Sequence, residues 1–318
     1  GASVAAMAVT PLMFVLARVI EGLAVCCTSV VIVSGVRDRM SGSDAARAYG
    51  FLNGTLNIIP ALAPLIGGLI AQYYGWRAPF WALTGYTLAV LLLVIFKLPE
   101  TRPADTQTNT GLPFRQYARI LFNARFMTFA LVNAGAMGMA LTYVSLAPTV
   151  LMNIAGLTPL QFSLVFGASG FWIMGMSFIA NRIIRKVGRP VCLKTGSILM
   201  FIGCLGLIAG ITLVPPAEQT ATWLYMLPVA SACAGLAFLM GPATSYALEP
   251  FSAEAGVASA LVGSVQMAGG ALLGFIAMAL PLQPKLSLAL VMLAGGCLAM
   301  LARRASRKST GRLTRLQQ

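Results

Sequence analysis

Histidine is absent from the 318 residues, and Asp and Glu together number only eight. The missing imidazole removes the side chain that most often serves as a general base or metal ligand near neutral pH. An enzyme embedded in a membrane would need histidines or carboxylates gathered near the headgroups. The expectation is therefore a protein that is not an enzyme and holds no metal or other cofactor. The phosphate-cradling pattern Gly-x-x-x-x-Gly-Lys-Ser/Thr does not occur, which argues against ATP-driven transport within this chain. Six cysteines, Cys26, Cys27, Cys192, Cys204, Cys233 and Cys297, show no Cys-x-x-Cys spacing and lie in or beside apolar runs, so they read as small apolar filler. Charge of either sign is scarce: Asp, Glu, Lys and Arg make up 9% of the chain, against about a quarter in soluble domains.

What fills the chain instead is apolar. Such residues are 58% of it and the mean hydropathy is +0.84, a composition that belongs in a bilayer. They come in runs of about 20 and not in alternating ten-residue segments, so the spans are expected to be α-helices, which satisfy their own backbone hydrogen bonds in lipid. The fold class is all-α, a polytopic membrane helix bundle. Nine full spans are predicted, over residues 11–36, 48–73, 77–97, 126–152, 160–181, 191–214, 222–248, 256–281 and 285–302, with residues 1–9 as the tail of one more. The net charge of +14 does not indicate nucleic acid, because the basic residues fall between apolar runs and not in a folded basic domain with interleaved aromatics.

Those basic residues set the orientation, since cytoplasmic loops carry the excess of Lys and Arg. One set of alternate loops and the tail holds nineteen of the 22: Arg37, Arg39 and Arg47; Lys97, Arg102, Arg115, Arg119 and Arg125; Arg182, Arg185, Lys186, Arg189 and Lys194; Arg303, Arg304, Arg307, Lys308, Arg312 and Arg315. The opposite loops hold Arg77 and Lys285 alone, and Arg18 lies within a span. The C-terminal tail is thus predicted to be cytoplasmic. Tyr73, Tyr74 and Trp76, and again Trp223 and Tyr225, fall at predicted outer interfaces, where amphipathic rings settle. The longest connection ends in "LPFRQYARILFNARF", in which Leu112, Tyr117, Ile120 and Leu121 share one face; a cytoplasmic interfacial helix is expected, with Arg115, Arg119 and Arg125 reaching lipid headgroups. Glu249 and Glu254 read as solvated loop charges. The expected organisation is residues 1–98 as the remainder of one helix group, 99–125 as the connecting loop, 126–302 as a six-helix group and 303–318 as a basic tail, which suggests a protein of two six-helix halves.

Several motifs then carry a resemblance. "RVIEG", Arg18 to Gly22, resembles the fourth-helix motif Arg-x-x-Gln-Gly of major facilitator superfamily antiporters, and "LAPLIGG", Leu62 to Gly68, resembles their fifth-helix motif ending Gly-Pro-x-x-Gly-Gly. "VRDRM", "LPETRPA" and "PFSAEAGVASALVGSVQMAGGAL" are similar to the Bcr/CflA drug-resistance subfamily. The resemblance covers residues 1–302 and implies a major facilitator fold in which this sequence starts late in the third helix, lacking the first two; an N-terminal truncation is the expectation. "RKVGRP", Arg185 to Pro190, resembles a degenerate second copy of the family's loop motif, with Arg185 where an aspartate is usual.

The charges Arg18 and Glu21 stand three residues apart inside an apolar span. An ionised arginine at the bilayer centre costs about 2.5–3.5 kcal/mol on insertion scales. The i, i+3 spacing lets the two meet, which lowers that cost. They are either a self-neutralising pair that makes insertion tolerable or a proton-coupling element in which Arg18 holds a carboxylate ionised until a proton or substrate competes for it. Pro60 and Pro64 are expected to bend the fifth-helix segment, and Gly67 and Gly68 to permit close helix contact, as a hinge. Asn53, Asn57, Asn133, Tyr143, Trp172, Phe238 and Gln266 are candidates for lining a substrate cavity, each with helix-to-helix bonding or packing as the plainer role. The implied activity is secondary active transport: proton-coupled efflux of drugs or small lipophilic compounds by a monomer in a bacterial inner membrane, its partners being the substrate, protons and the lipid bilayer. Export of an endogenous metabolite and a truncated, non-transporting membrane protein are the alternatives.

Overall fold

The computed structural model describes residues 1–39, 62–97, 114–215 and 218–316. Among these no strand occurs, and eight helices are long and apolar enough to cross a membrane. They match eight of the nine predicted spans. The ninth, 48–73, is described only from residue 62 onward, where it is helical to residue 74. The protein is a multi-pass, all-α membrane protein. It divides into two compact units, Gly1–Gly111 with Pro159–Gly167, and Leu112–Thr158 with Ala168–Gln318.

The first unit holds α1 (Ala2–Ala6), α2 (Pro11–Arg39), α3 (62–74) and α4 (Ala78–Lys97). Pro11 opens α2, where its missing N–H has no intrahelical acceptor to lose. Thr10 caps it, its hydroxyl accepting from the Met13 amide at 3.2 Å. α1 packs on both α2 and α4, with Ala5, Ala6, Ala8 and Ala17 buried and the Ser3 and Thr84 hydroxyls 3.4 Å apart. Gly75, at φ +84°, makes the turn from α3 to α4 in a conformation that costs glycine little. Beside that turn Phe14, Trp76 and Phe80 meet edge to face, and Arg77 lies 4.2 Å from the Trp76 ring while donating to the Ala8 carbonyl. Tyr73, Tyr74 and Trp76 are exposed, as an interfacial girdle requires. α4 buries none of its residues, consistent with an apolar helix solvated by lipid.

The second unit comprises α5 (Phe114–Leu121), α6 (Ala124–Pro148) with a π-helical turn over Thr149–Ile154, the rest of α7 (Pro159–Val187), α8 (Arg189–Thr212), α9 (Thr222–Leu248), a 3₁₀ segment (Glu249–Glu254), α10 (Ala255–Ala279) and α11 (Pro284–Leu316). Its helices close on one another at glycines. A Cβ on Gly135 of α6 would sit 2.9 Å from the Gly295 Cα of α11, and one on Gly235 of α9 would sit 2.9 Å from the Gly196 carbonyl oxygen of α8. A Cβ on Gly270 of α10 would come within 3.0 Å of the Gly138 amide nitrogen of α6. Lipid tails give apolar side chains no reason to prefer one another, so such backbone proximity supplies the dispersion contacts that hold membrane helices together. α11 continues as a helix past the predicted end at 302 into the basic tail.

Three expectations are corrected here. Arg119 and Arg125 do not reach for lipid headgroups but pair with Glu254 and Glu249, which are accordingly not free loop charges. Of the second outer aromatic pair only Trp223 is exposed; Tyr225 is 1% exposed, turned into the unit. A helix does form over Phe114–Leu121 with Ile120 buried, and Phe114 and Phe122 exposed.

Candidate functional site

In the first unit, Arg18 and Glu21 form an ion pair along α2, the guanidinium donating to one carboxylate oxygen. Arg18 is about half exposed and its guanidinium carbon lies 5.9 Å from the centre of the Phe80 ring of α4. Glu21 is more enclosed, and its second carboxylate oxygen is buried with no hydrogen-bond partner. The i, i+3 spacing thus delivers the contact it predicts, and it leaves one acceptor of the carboxylate open. An open carboxylate oxygen is able to accept a further hydrogen bond.

The hinge candidates divide. Asn53, Asn57 and Pro60 lie outside the described residues. Pro64 is half-buried, and Gly67 has room for a methyl group. Gly68 does not: a Cβ there would collide with the Ser163 hydroxyl in the first turns of α7, which belong to the same unit. Close approach, the property expected of these glycines, is met at Gly68.

The second unit gathers some of the cavity candidates and separates others. Asn133 of α6 is fully buried; its amide nitrogen donates to the Thr244 hydroxyl of α9 at 2.9 Å, while its carbonyl oxygen is left without a partner. Ten residues along α6, the Tyr143 hydroxyl is 3.1 Å from that of Ser169 on α7. Trp172, one turn further on α7, donates its indole N–H to the Ala230 carbonyl of α9 at 2.8 Å. Phe238 packs with Ala180 and Cys192 in a core cluster between α7, α8 and α9, and the Cys192 thiol lies 3.3 Å from its carbonyl oxygen. Gln266 is half-buried on α10. Tyr225 was not among these candidates, yet its ring centre is 6.3 Å from that of Tyr143 and its hydroxyl is buried without a partner.

A charged cluster escapes sequence reasoning altogether. Where α6 begins and α9 ends, the Glu249 carboxylate accepts from Arg125 at 2.6 Å and lies 3.6 Å from Arg189, and Arg189 also donates to the Ser245 hydroxyl at 2.9 Å. The Arg189 guanidinium stands 4.1 Å over the Tyr246 ring, which stacks on Phe129 at 4.8 Å. Arg189 is delivered there by Gly188, whose φ of +93° and ψ of 166° lie in a region essentially reserved for glycine. The "RKVGRP" stretch is therefore a tight α7–α8 turn that aims an arginine at the end of α9. Next to it, the hydrogen bond from Arg119 holds the Glu254 carboxyl below its ordinary pKa. The partners are 124 and 135 residues apart, so only the proximity of the two acids to each other and to basic loops was visible beforehand.

Comparison with known proteins gives this arrangement a family. The Major Facilitator Superfamily profile matches residues 1–275. The chain is 33% identical over 267 residues to the multidrug resistance protein MdtL of Escherichia coli O17:K52:H18 (strain UMN026), covering 84% of this chain and 65% of that protein. It is 32% identical over the same length to proteins of that name from Shigella boydii serotype 4 and Shigella flexneri, with the same coverage. It spans less than two thirds of the length of these relatives. With a matching profile over most of its length and a described structure made of membrane-spanning helices, the chain belongs to the major facilitator superfamily.

Proposed function

We propose that this chain carries part or all of a secondary active transporter that exports drugs or other small lipophilic compounds in exchange for protons. Alternating access is the mechanism: helix groups rock about a site near the bilayer midplane, so that it faces one side of the membrane at a time. The observation that carries the reading is the Arg18–Glu21 pair inside an apolar span, in a chain of this family. Charge within a membrane span is expensive and by default functional. The multidrug resistance proteins among its relatives support drugs as the substrate class.

In this mechanism the substrate's lipophilic body is held by aromatic and aliphatic walls, Trp172 among them, and Asn133, Tyr143 and Gln266 supply directional hydrogen bonds. Arg18 pairs with Glu21 in one state, and a proton or a cationic substrate takes the arginine's place in the other. Pro64, Gly67 and Gly68 allow helix motion without bulky side chains locking the contact. The protein acts as a monomer in a bacterial inner membrane with its C-terminus in the cytoplasm, its two helix groups joined through residues 99–125. The prediction is that Arg18→Ala in the complete transporter abolishes proton-driven efflux while membrane insertion and yield stay at wild-type levels. Drug accumulation in cells, with and without collapse of the proton gradient, measures it. Retained gradient-dependent efflux in Arg18→Ala would return the pair to a device for tolerating insertion.

A further inference from the structure

We propose that Tyr225 contacts the transported molecule and selects substrates that carry a hydrogen-bonding group on a lipophilic body; this rests on the export reading above. Tyr225 sits in the first turn of α9, where an aromatic belt residue would present its hydroxyl to the interface. It does the opposite. The side chain is 1% exposed, and its hydroxyl is buried without a hydrogen-bond partner. An orphaned buried hydroxyl is costly, and buried polar groups are nearly always satisfied. Phenylalanine would fill the same volume without stranding a polar atom, so packing alone does not account for tyrosine at this position.

The surroundings show what the hydroxyl is suited to. Tyr143 from α6 lies beside it, rings 6.3 Å apart and inclined by 39°, and the Tyr143 hydroxyl is itself engaged with Ser169 of α7 at 3.1 Å. Three helices therefore bring hydroxyl-bearing side chains together, and Tyr225 is the one among them left unsatisfied. A neutral phenol both donates and accepts, so it fits a carbonyl, amide or hydroxyl on a ligand. Its own ring and that of Tyr143 supply the apolar wall such a ligand needs. A substrate whose polar group reaches this hydroxyl gains a bond that a substrate without one does not, and discrimination by such a group is strong when the protein's own polar atom is otherwise left unpaired.

The test uses the complete transporter, Tyr225→Phe, and two probes: chloramphenicol, rich in hydrogen-bonding groups, and tetraphenylphosphonium, a lipophilic cation with none. Tyr225→Phe is expected to raise the apparent KM for chloramphenicol about three- to tenfold, the worth of one hydrogen bond, with tetraphenylphosphonium changed by less than about twofold. The thermal unfolding temperature of the variant is expected at or above the wild type, because an unpaired hydroxyl has been removed. Equal changes for both probes, no change for either, or a lowered unfolding temperature would overturn the proposal. A wild-type transporter that moves neither probe overturns the export reading itself, and this inference with it; a wild type that moves both, with a variant that does not discriminate, overturns this inference alone.

Discussion

The Arg119–Glu254 pair shows what one side chain does for the placement of α5. That helix is only eight residues long and too short to hold itself together in water. Ile120 is buried beneath it, and the ion pair to the 3₁₀ segment ties it laterally. Arg119 holds the Glu254 carboxyl below its ordinary value. A depressed carboxylate pKa stabilises the folded unit in full above the unfolded value, and that contribution is lost as pH falls through the folded one. The expected outcome is that Glu254→Gln unfolds at a lower temperature than the wild type at pH 7, and that the gap narrows as both are taken below the ordinary carboxylate pKa and through the depressed one. Thermal unfolding in detergent across that range checks it; a gap independent of pH would mean the pair contributes through packing and not charge.

At the scale of the element, helix ends and crossings depend on single glycines. Gly188 closes the α7–α8 turn at a φ of +93°, and Gly188→Ala is expected to destabilise the second unit by about 1–3 kcal/mol, the usual cost of holding an L-residue in such a conformation. Gly135→Val should do comparable harm for a different reason, because its side chain would drive α6 off the backbone of α11 at Gly295. Chemical unfolding of the purified variants measures both. The helices themselves were legible in the sequence: the span read over 222–248 is α9 residue for residue, since apolar length and flanking polar residues are local properties. The Arg18–Glu21 contact was legible for the same reason, being a matter of three positions on one helix. Glu249 and Glu254 were misread because their arginines arrive from other elements, and no periodicity encodes a partner more than a hundred residues away. With Tyr225 the place near a helix end was read but the direction was not. A tyrosine near a helix end fits the belt whether its ring points outward or inward, and only packing decides.

For the molecule as a whole, the distribution of charge makes a claim about the membrane that composition alone does not. Nineteen of the 22 basic residues fall in one set of loops and the tail, and two in the other. Six of the nineteen are in the last stretch, from Arg303 onward, where α11 leaves its apolar portion. If the positive-inside bias sets orientation, the C-terminus faces the cytoplasm and the turn around Gln219 faces the opposite side. A fluorescent protein fused after Gln318 is then expected to glow, and alkaline phosphatase inserted at Gln219 to be active, since the first folds in the cytoplasm and the second needs an oxidising compartment. The inverse pattern would overturn the assignment. A harder version separates the tail from the rest: changing Arg303, Arg304, Arg307, Lys308, Arg312 and Arg315 to glutamine leaves thirteen basic residues against two. The reporters should therefore keep their sides, because orientation is set by the sum over short loops and not by the last helix. What the substitution should weaken is attraction of the tail to the anionic cytoplasmic leaflet, worth about 1 kcal/mol for each basic residue near the surface. Binding of the isolated tail peptide, residues 303–318, to vesicles with and without anionic lipid would register that loss, and a reporter that switched sides would show instead that the tail alone dictates the topology.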